Sequence, residues 1–147
     1  MSQCLKTKKQ KQKRGSTMGR IIVRILAVLP GLPMLVIGLS LVLQPAVALD
    51  AINMPLLEGL ALSSQLGDLT SFFLCCAAFI FMGAYHGAPR WLYAGAALIF
   101  VAAIARIYAW QVHGAGFPPE PIAVEVISTI WLVVCAVILS KPTKAKK

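Results

Sequence analysis

Acidic residues are scarce in this 147-residue chain: five Asp and Glu stand against 14 Lys and Arg. Charge of either sign makes up only 13% of the sequence, while 59% is hydrophobic, more than a soluble core of this size uses. With a mean hydropathy of +0.79, the apolar surplus needs lipid as its solvent. Among Cys4, Cys75, Cys76 and Cys135 there is no CxxC pair and no His-supported ligand spacing, so neither a disulfide framework nor a zinc site is indicated. The adjacent Cys75 and Cys76 read as small packing residues, with a redox role as the alternative. His86 and His113 are isolated; a site of His113 with Glu120 and Glu125 would lack a second His or a Cys, so no metal is expected. A Gly-rich phosphate loop, a nucleophile elbow and HExxH are all missing, which leaves no catalytic residue or cofactor to name and favours a non-enzymatic protein. No internal repeat or low-complexity domain is present.

The charge that remains is placed at the ends. Eight of the 14 Lys and Arg lie before residue 25 and four after residue 140. Residues 1–20 carry Lys6, Lys8, Lys9, Lys11, Lys13, Arg14 and Arg20 with almost no apolar residue, and are expected to be a disordered basic tail. Its expected task is to hold the amino end beside anionic lipid in the cytoplasm, ahead of any contact with nucleic acid. Residues 141–147 form a second basic tail.

Between the tails, residues 21–140 predict an all-α four-helix bundle embedded in a membrane. The first span runs from Ile21 to Leu43; Arg24 can snorkel at its cytoplasmic end, and Pro30 and Pro33 bend it. Ala46-Val47-Ala48 behind it resembles a signal-peptidase site, but the apolar run is longer than an h-region, and the segment is kept as a helix. Gln44 to Gly67 has no Lys or Arg, and its leucines, Pro45 and Pro55 suggest short amphipathic turns at the outer interface. The second span is Asp68 to Tyr85, on which Ser71, Cys75, Ala78 and Met82 form a polar or small face expected to turn inward. After the turn His86 to Arg90, the third span runs from Trp91 to Val112, with Trp91 and Tyr93 at one interface and Tyr108 and Trp110 at the other. Gly114, Gly116, Pro118 and Pro119 break the chain before the fourth span, Pro121 to Ser140.

Four spans put both termini and Arg90 on one side, with every Lys and Arg except Arg106, and all five acids on or near the other. This positive-inside pattern predicts cytoplasmic termini and location in the cell inner membrane. Arg106 and Glu125 fall within the apolar spans, where a charge is costly and faces a partner or a cavity. Helix geometry places Arg106, Glu125 and Asp68 at similar depth near the outer leaflet. The expectation is an Arg106 to Glu125 ion pair with Asp68 as second acceptor, completed by Ser71, Ser128, Thr129 or His113. Such a cluster either fixes helix register or holds a small polar ligand.

The run GDLTSFF from Gly67, the Arg106 helix ending in HGAGFPP, and Glu125 together resemble an uncharacterised family of small four-helix bacterial membrane proteins carrying a domain of unknown function. Leu43-Gln44-Pro45, Asp68, Arg106, Gly116-Phe117-Pro118 and Glu125 fit its pattern, over residues 21–140. Thr70 stands where that family often has Arg, and Ala105 where it often has Gly, so a ligand role for a second arginine is absent or altered. The resemblance implies the four-helix membrane fold and no assigned reaction. A more distant similarity to small membrane subunits of the DoxX type, some linked to oxidoreductases, implies a redox alternative. The expected partners are membrane lipids and a second copy or another membrane protein; nucleic acid is not expected. The expected role is binding a lipid or small ligand, or assembly, with an oligomeric transporter or channel protomer as the alternative.

Overall fold

The computed structural model describes residues 18–141. Residues 1–17 and 142–147, which hold most of the two basic tails expected from the sequence, lie outside the described residues. The described chain is all-helical. Four helices are long and apolar enough to cross a membrane: α1 (Met18–Leu43), α3 (Gly59–His86), α4 (Pro89–His113) and α5 (Pro119–Ser140), with the short α2 (Pro45–Ala51) between the first two. The shortest has 22 residues, ~33 Å at 1.5 Å per residue, enough for a hydrocarbon core about 30 Å thick.

Their sides confirm what the composition demands. Large apolar residues such as Val36 and Val42 on α1, Leu60 and Met82 on α3, Phe100 and Val101 on α4, and Ile127, Ile130 and Val134 on α5 are exposed on every spanning helix. A bundle with that surface in water would present apolar patches far larger than monomeric soluble proteins tolerate.

Helix α1 is interrupted where the prolines predict a bend: regular helix gives way to a turn at Leu29 and Pro30, then resumes from Gly31 to Leu43. Pro30 has no N–H to offer the carbonyl four residues back, which is that of Leu26. Instead the indole Nε1 of Trp131 on α5 donates to the Leu26 oxygen at 2.9 Å. The interruption is thereby tied to another helix, as a freed backbone carbonyl at membrane depth requires.

Arg20 and Arg24, one turn apart on α1, each donate to a carbonyl at the C-terminal end of another helix: Arg20 to Lys141 after α5, and Arg24 to Tyr85 of α3 at 2.5 Å. These ends carry unsatisfied carbonyls and the negative pole of the helix, so a guanidinium stabilises them twice over. Arg24, expected only to snorkel, therefore has a structural partner. The amino end of α1 and the carboxyl ends of α3 and α5 share what we call the basic end of the bundle.

Close approach between helices depends on glycine. A Cβ on Gly38 of α1 would lie 2.7 Å from Leu74 Cδ2, and one on Gly83 of α3 would lie 2.6 Å from Leu92 Cδ2 and 3.0 Å from the Leu92 backbone nitrogen. Around these contacts, Leu41, Cys76, Ile80, Leu92, Ile99 and Leu132 are fully buried. The small residues, not the large ones, set the helix spacing.

Two expectations are corrected. Helix α3 begins at Gly59, well before Asp68, so the last part of the stretch expected to form interfacial turns, Gly59 to Gly67, is instead the start of this helix. At 28 residues it is ~42 Å long, so it overshoots a 30 Å core or tilts within it. Second, the face of Ser71, Cys75, Ala78 and Met82 is exposed, and Phe73, Cys76, Ala77, Ile80, Gly83 and Ala84 are the buried ones. Ser71 can face outward because its hydroxyl donates to the Asp68 carbonyl of its own helix at 3.0 Å and needs no partner across the bundle. A short helix with one buried side does occur in that stretch: α2 buries Ala48 and Leu49 and leaves Asp50 exposed.

Candidate functional site

Helices α4 and α5 pack side by side, and their polar contact lies opposite the basic end. Arg106 stands seven residues before the last residue of α4, and Glu125 six after the first of α5. Both are therefore ~9 to 10 Å in from the same end of the bundle. Antiparallel neighbours joined by a short turn bring such positions to one level. The turn is compact: Gly114 takes a left-handed conformation (φ 68°), the Ala115 N–H reaches the Ala109 carbonyl at 3.2 Å, and Phe117 packs on Trp110 with ring centroids 4.7 Å apart.

Arg106 Nε donates to Glu125 Oε1 at 2.8 Å, the one salt bridge among the described residues. The two partners meet different surroundings. The Arg106 side chain is 43% exposed and that of Glu125 only 10%. Neither Nη group of Arg106 has a hydrogen-bond partner among the described residues, so most of its donor fork faces the outer surface of the bundle. Glu125 Oε2, in contrast, is buried and accepts no hydrogen bond. A buried carboxylate oxygen without a donor is costly, and native proteins seldom keep one without a use or an added partner.

The structure distributes the other candidate residues as follows. Thr129 lies one turn below Glu125, half-buried, and its hydroxyl donates to the Glu125 carbonyl at 2.8 Å. Ser128 is half-buried beside it and makes no hydrogen bond to the pair. Asp68 is exposed on α3 and forms no ion pair with Arg106; Ser71 bonds only to the backbone of its own helix. His113 is exposed at the end of α4, with its ring edge-on to Tyr108 at 5.6 Å. The arrangement is thus a pair on two adjacent helices with one hydroxyl behind it, and the expected third acceptor is elsewhere. No group of three or more His, Cys, Asp or Glu that could hold a metal occurs among the described residues.

One buried polar residue escaped the sequence reading. Gln65 on α3 donates through Nε2 to the Pro55 carbonyl at 2.9 Å and accepts from the Leu57 N–H at 3.2 Å, fastening the segment that leads into α3. A lone amide in an apolar stretch following a proline was its only signal. Comparison with protein-family models, with curated proteins and with solved structures yields no match for this chain.

Proposed function

We propose that this is a non-enzymatic, multi-pass membrane protein that holds a lipid headgroup or small polar molecule against Arg106 and Glu125. Its termini lie on the cytoplasmic side of the inner membrane, and the pair sits in the outer leaflet. The observation that carries this reading is the incomplete pairing of the two groups. Arg106 spends only Nε on its partner and presents both Nη groups at a half-exposed surface, while Glu125 keeps one buried oxygen without a donor. A ligand bearing phosphate or carboxylate would engage the planar fork of Arg106, and a donor on the same ligand would satisfy Glu125. The orientation is supported by the gathering of Arg20, Arg24, Arg90 and Lys141 at the end opposite the acids.

A pair that only fixed helix register would have its remaining polar atoms satisfied by the protein. The test is the identity of what copurifies in mild detergent. The wild type should carry a phosphate- or carboxylate-bearing molecule that Arg106→Gln loses; a wild type that carries nothing beyond what the variant carries contradicts the reading.

A second reading, a protomer of a small oligomeric transporter or channel, is favoured by the exposed face of Asp68, Ser71 and Cys75, which four helices alone leave uncovered. Solute or ion flux in proteoliposomes would select it. A copurifying haem, flavin or quinone would select an oxidoreductase subunit instead.

A further inference from the structure

We propose that the basic end carries a second, separate site that takes one acyl chain and the headgroup of an anionic phospholipid. Between α1 and α3 lies a groove of about 440 Å³, within the range of small-molecule sites. Its walls are Ile21, Ile25 and Val28 on one side and Phe81 and Ala84 on the other, with Arg24 as its one charged member. An apolar trough open to the side of a membrane-spanning bundle is solvated by lipid tails.

What selects the headgroup is Arg24. Its guanidinium is held in place: Nη2 donates to the Tyr85 carbonyl at 2.5 Å, and the group lies over Gly87, where a Cβ would stand 2.8 Å from Nη2 and 2.9 Å from Nε. Gly87 has φ 61° and ends α3, so the backbone conformation and the space for the guanidinium both call for glycine. Nε is buried without a partner, and no carboxylate of the described residues neutralises the charge. Among the described residues nothing supplies the counter-charge, which leaves it to an anionic group of the surroundings. A parallel second copy cannot supply it, because the acids Asp50, Glu58, Asp68, Glu120 and Glu125 all lie toward the other end. A zwitterionic lipid would add its own cation where Arg20, Arg24 and Lys141 already gather. A phosphodiester with net negative charge fits the guanidinium, and its chain fits the trough.

The experiment is native mass spectrometry of the full chain released into mild detergent from bilayers of equal phosphatidylglycerol and phosphatidylcholine. The wild type should retain phosphatidylglycerol over phosphatidylcholine by about fivefold, the scale of one basic residue near an anionic surface. Arg24→Gln should bring that ratio close to unity. Ile25→Trp, at an exposed position on the wall of the trough, should lower the retained phosphatidylglycerol while leaving the charge of Arg24 in place. The same change at Ile130, exposed on α5, should leave it as in the wild type. Equal retention of the two lipids by the wild type would overturn the proposal. So would a folded Ile25→Trp variant that retains as much phosphatidylglycerol as the wild type. The same comparison in an Arg106→Gln background removes any lipid held by that pair, so either site can fail without the other.

Discussion

The indole nitrogen of Trp131 stands 2.9 Å from the carbonyl oxygen of Leu26, the oxygen that Pro30 deprives of its helical donor. Within α1 only a longer contact from the Leu29 N–H, at 3.3 Å, reaches the same carbonyl. In water the oxygen would bond to solvent, but at membrane depth it depends on the protein. Trp131→Phe should therefore destabilise the bundle by about 1 kcal/mol, on the scale of interhelical hydrogen bonds in membranes. Pro30→Ala restores a backbone donor to Leu26, so Trp131→Phe should cost less in that background. Reversible unfolding in mixed micelles over the four variants measures the coupling; strictly additive costs would show that the tryptophan packs without serving the carbonyl.

Glycine contacts predict opposite signs for one substitution. Gly83→Ala drives a methyl against the Leu92 side chain and backbone nitrogen, and should cost about 1 to 3 kcal/mol. Gly67, also in α3, has nothing within 4 Å of where a Cβ would be, so Gly67→Ala should be neutral or stabilise by up to about 1 kcal/mol through helix propensity. The same unfolding assay separates them.

At the polar pair, deletion of one partner should be worse than deletion of both. Arg106→Ala leaves Glu125, buried but for a tenth of its side chain, without its counter-ion; the half-exposed arginine limits the loss to about 3 kcal/mol. Arg106→Ala with Glu125→Ala should recover part of that stability. Equal and negligible losses in both single variants would remove the pair from any account of the protein.

Cysteine chemistry tests the rotation of α3. Cys75 is exposed while Cys76 and Cys135 are buried. In a Cys4→Ser protein in detergent, N-ethylmaleimide should modify Cys75 first and reach the other two only on unfolding. Faster modification of Cys76 would mean that α3 is turned the other way about its axis.

The sequence carried the helix count, the break in α1 at Pro30 and the ends of α4 and α5, because proline, glycine and apolar length act locally. The start of α3 was not legible: nothing in Gly59 to Leu66 forbids helix, but its leucines and the prolines before it fit short amphipathic turns equally well, and the helix from Gly59, with Gln65 fastened to Pro55, is visible only in the fold. The rotation of α3 was misread for a physical reason. Polarity does not mark the inside here, because Ser71, Thr129 and Ser140 all donate to carbonyls of their own helices, leaving close packing at Gly83 and Ala84 to choose the buried side. Arg106 and Glu125 were legible as a pair because two opposite charges in apolar helices joined by a short turn reach one level. Asp68 matched them in depth but sits on the exposed side of α3, a matter of azimuth that spacing does not reveal.

The most direct test of the account is labelling of single cysteines in intact cells with a membrane-impermeant maleimide, in a chain otherwise free of cysteine. Asn53→Cys and Ala115→Cys, in the two connections at the acidic end, should label from outside, and Ala88→Cys, in the turn between α3 and α4, only after the membrane is opened. Labelling of Ala88→Cys in intact cells, or protection of Ala115→Cys, would contradict the proposed orientation, with Arg106 and Glu125 in the outer leaflet.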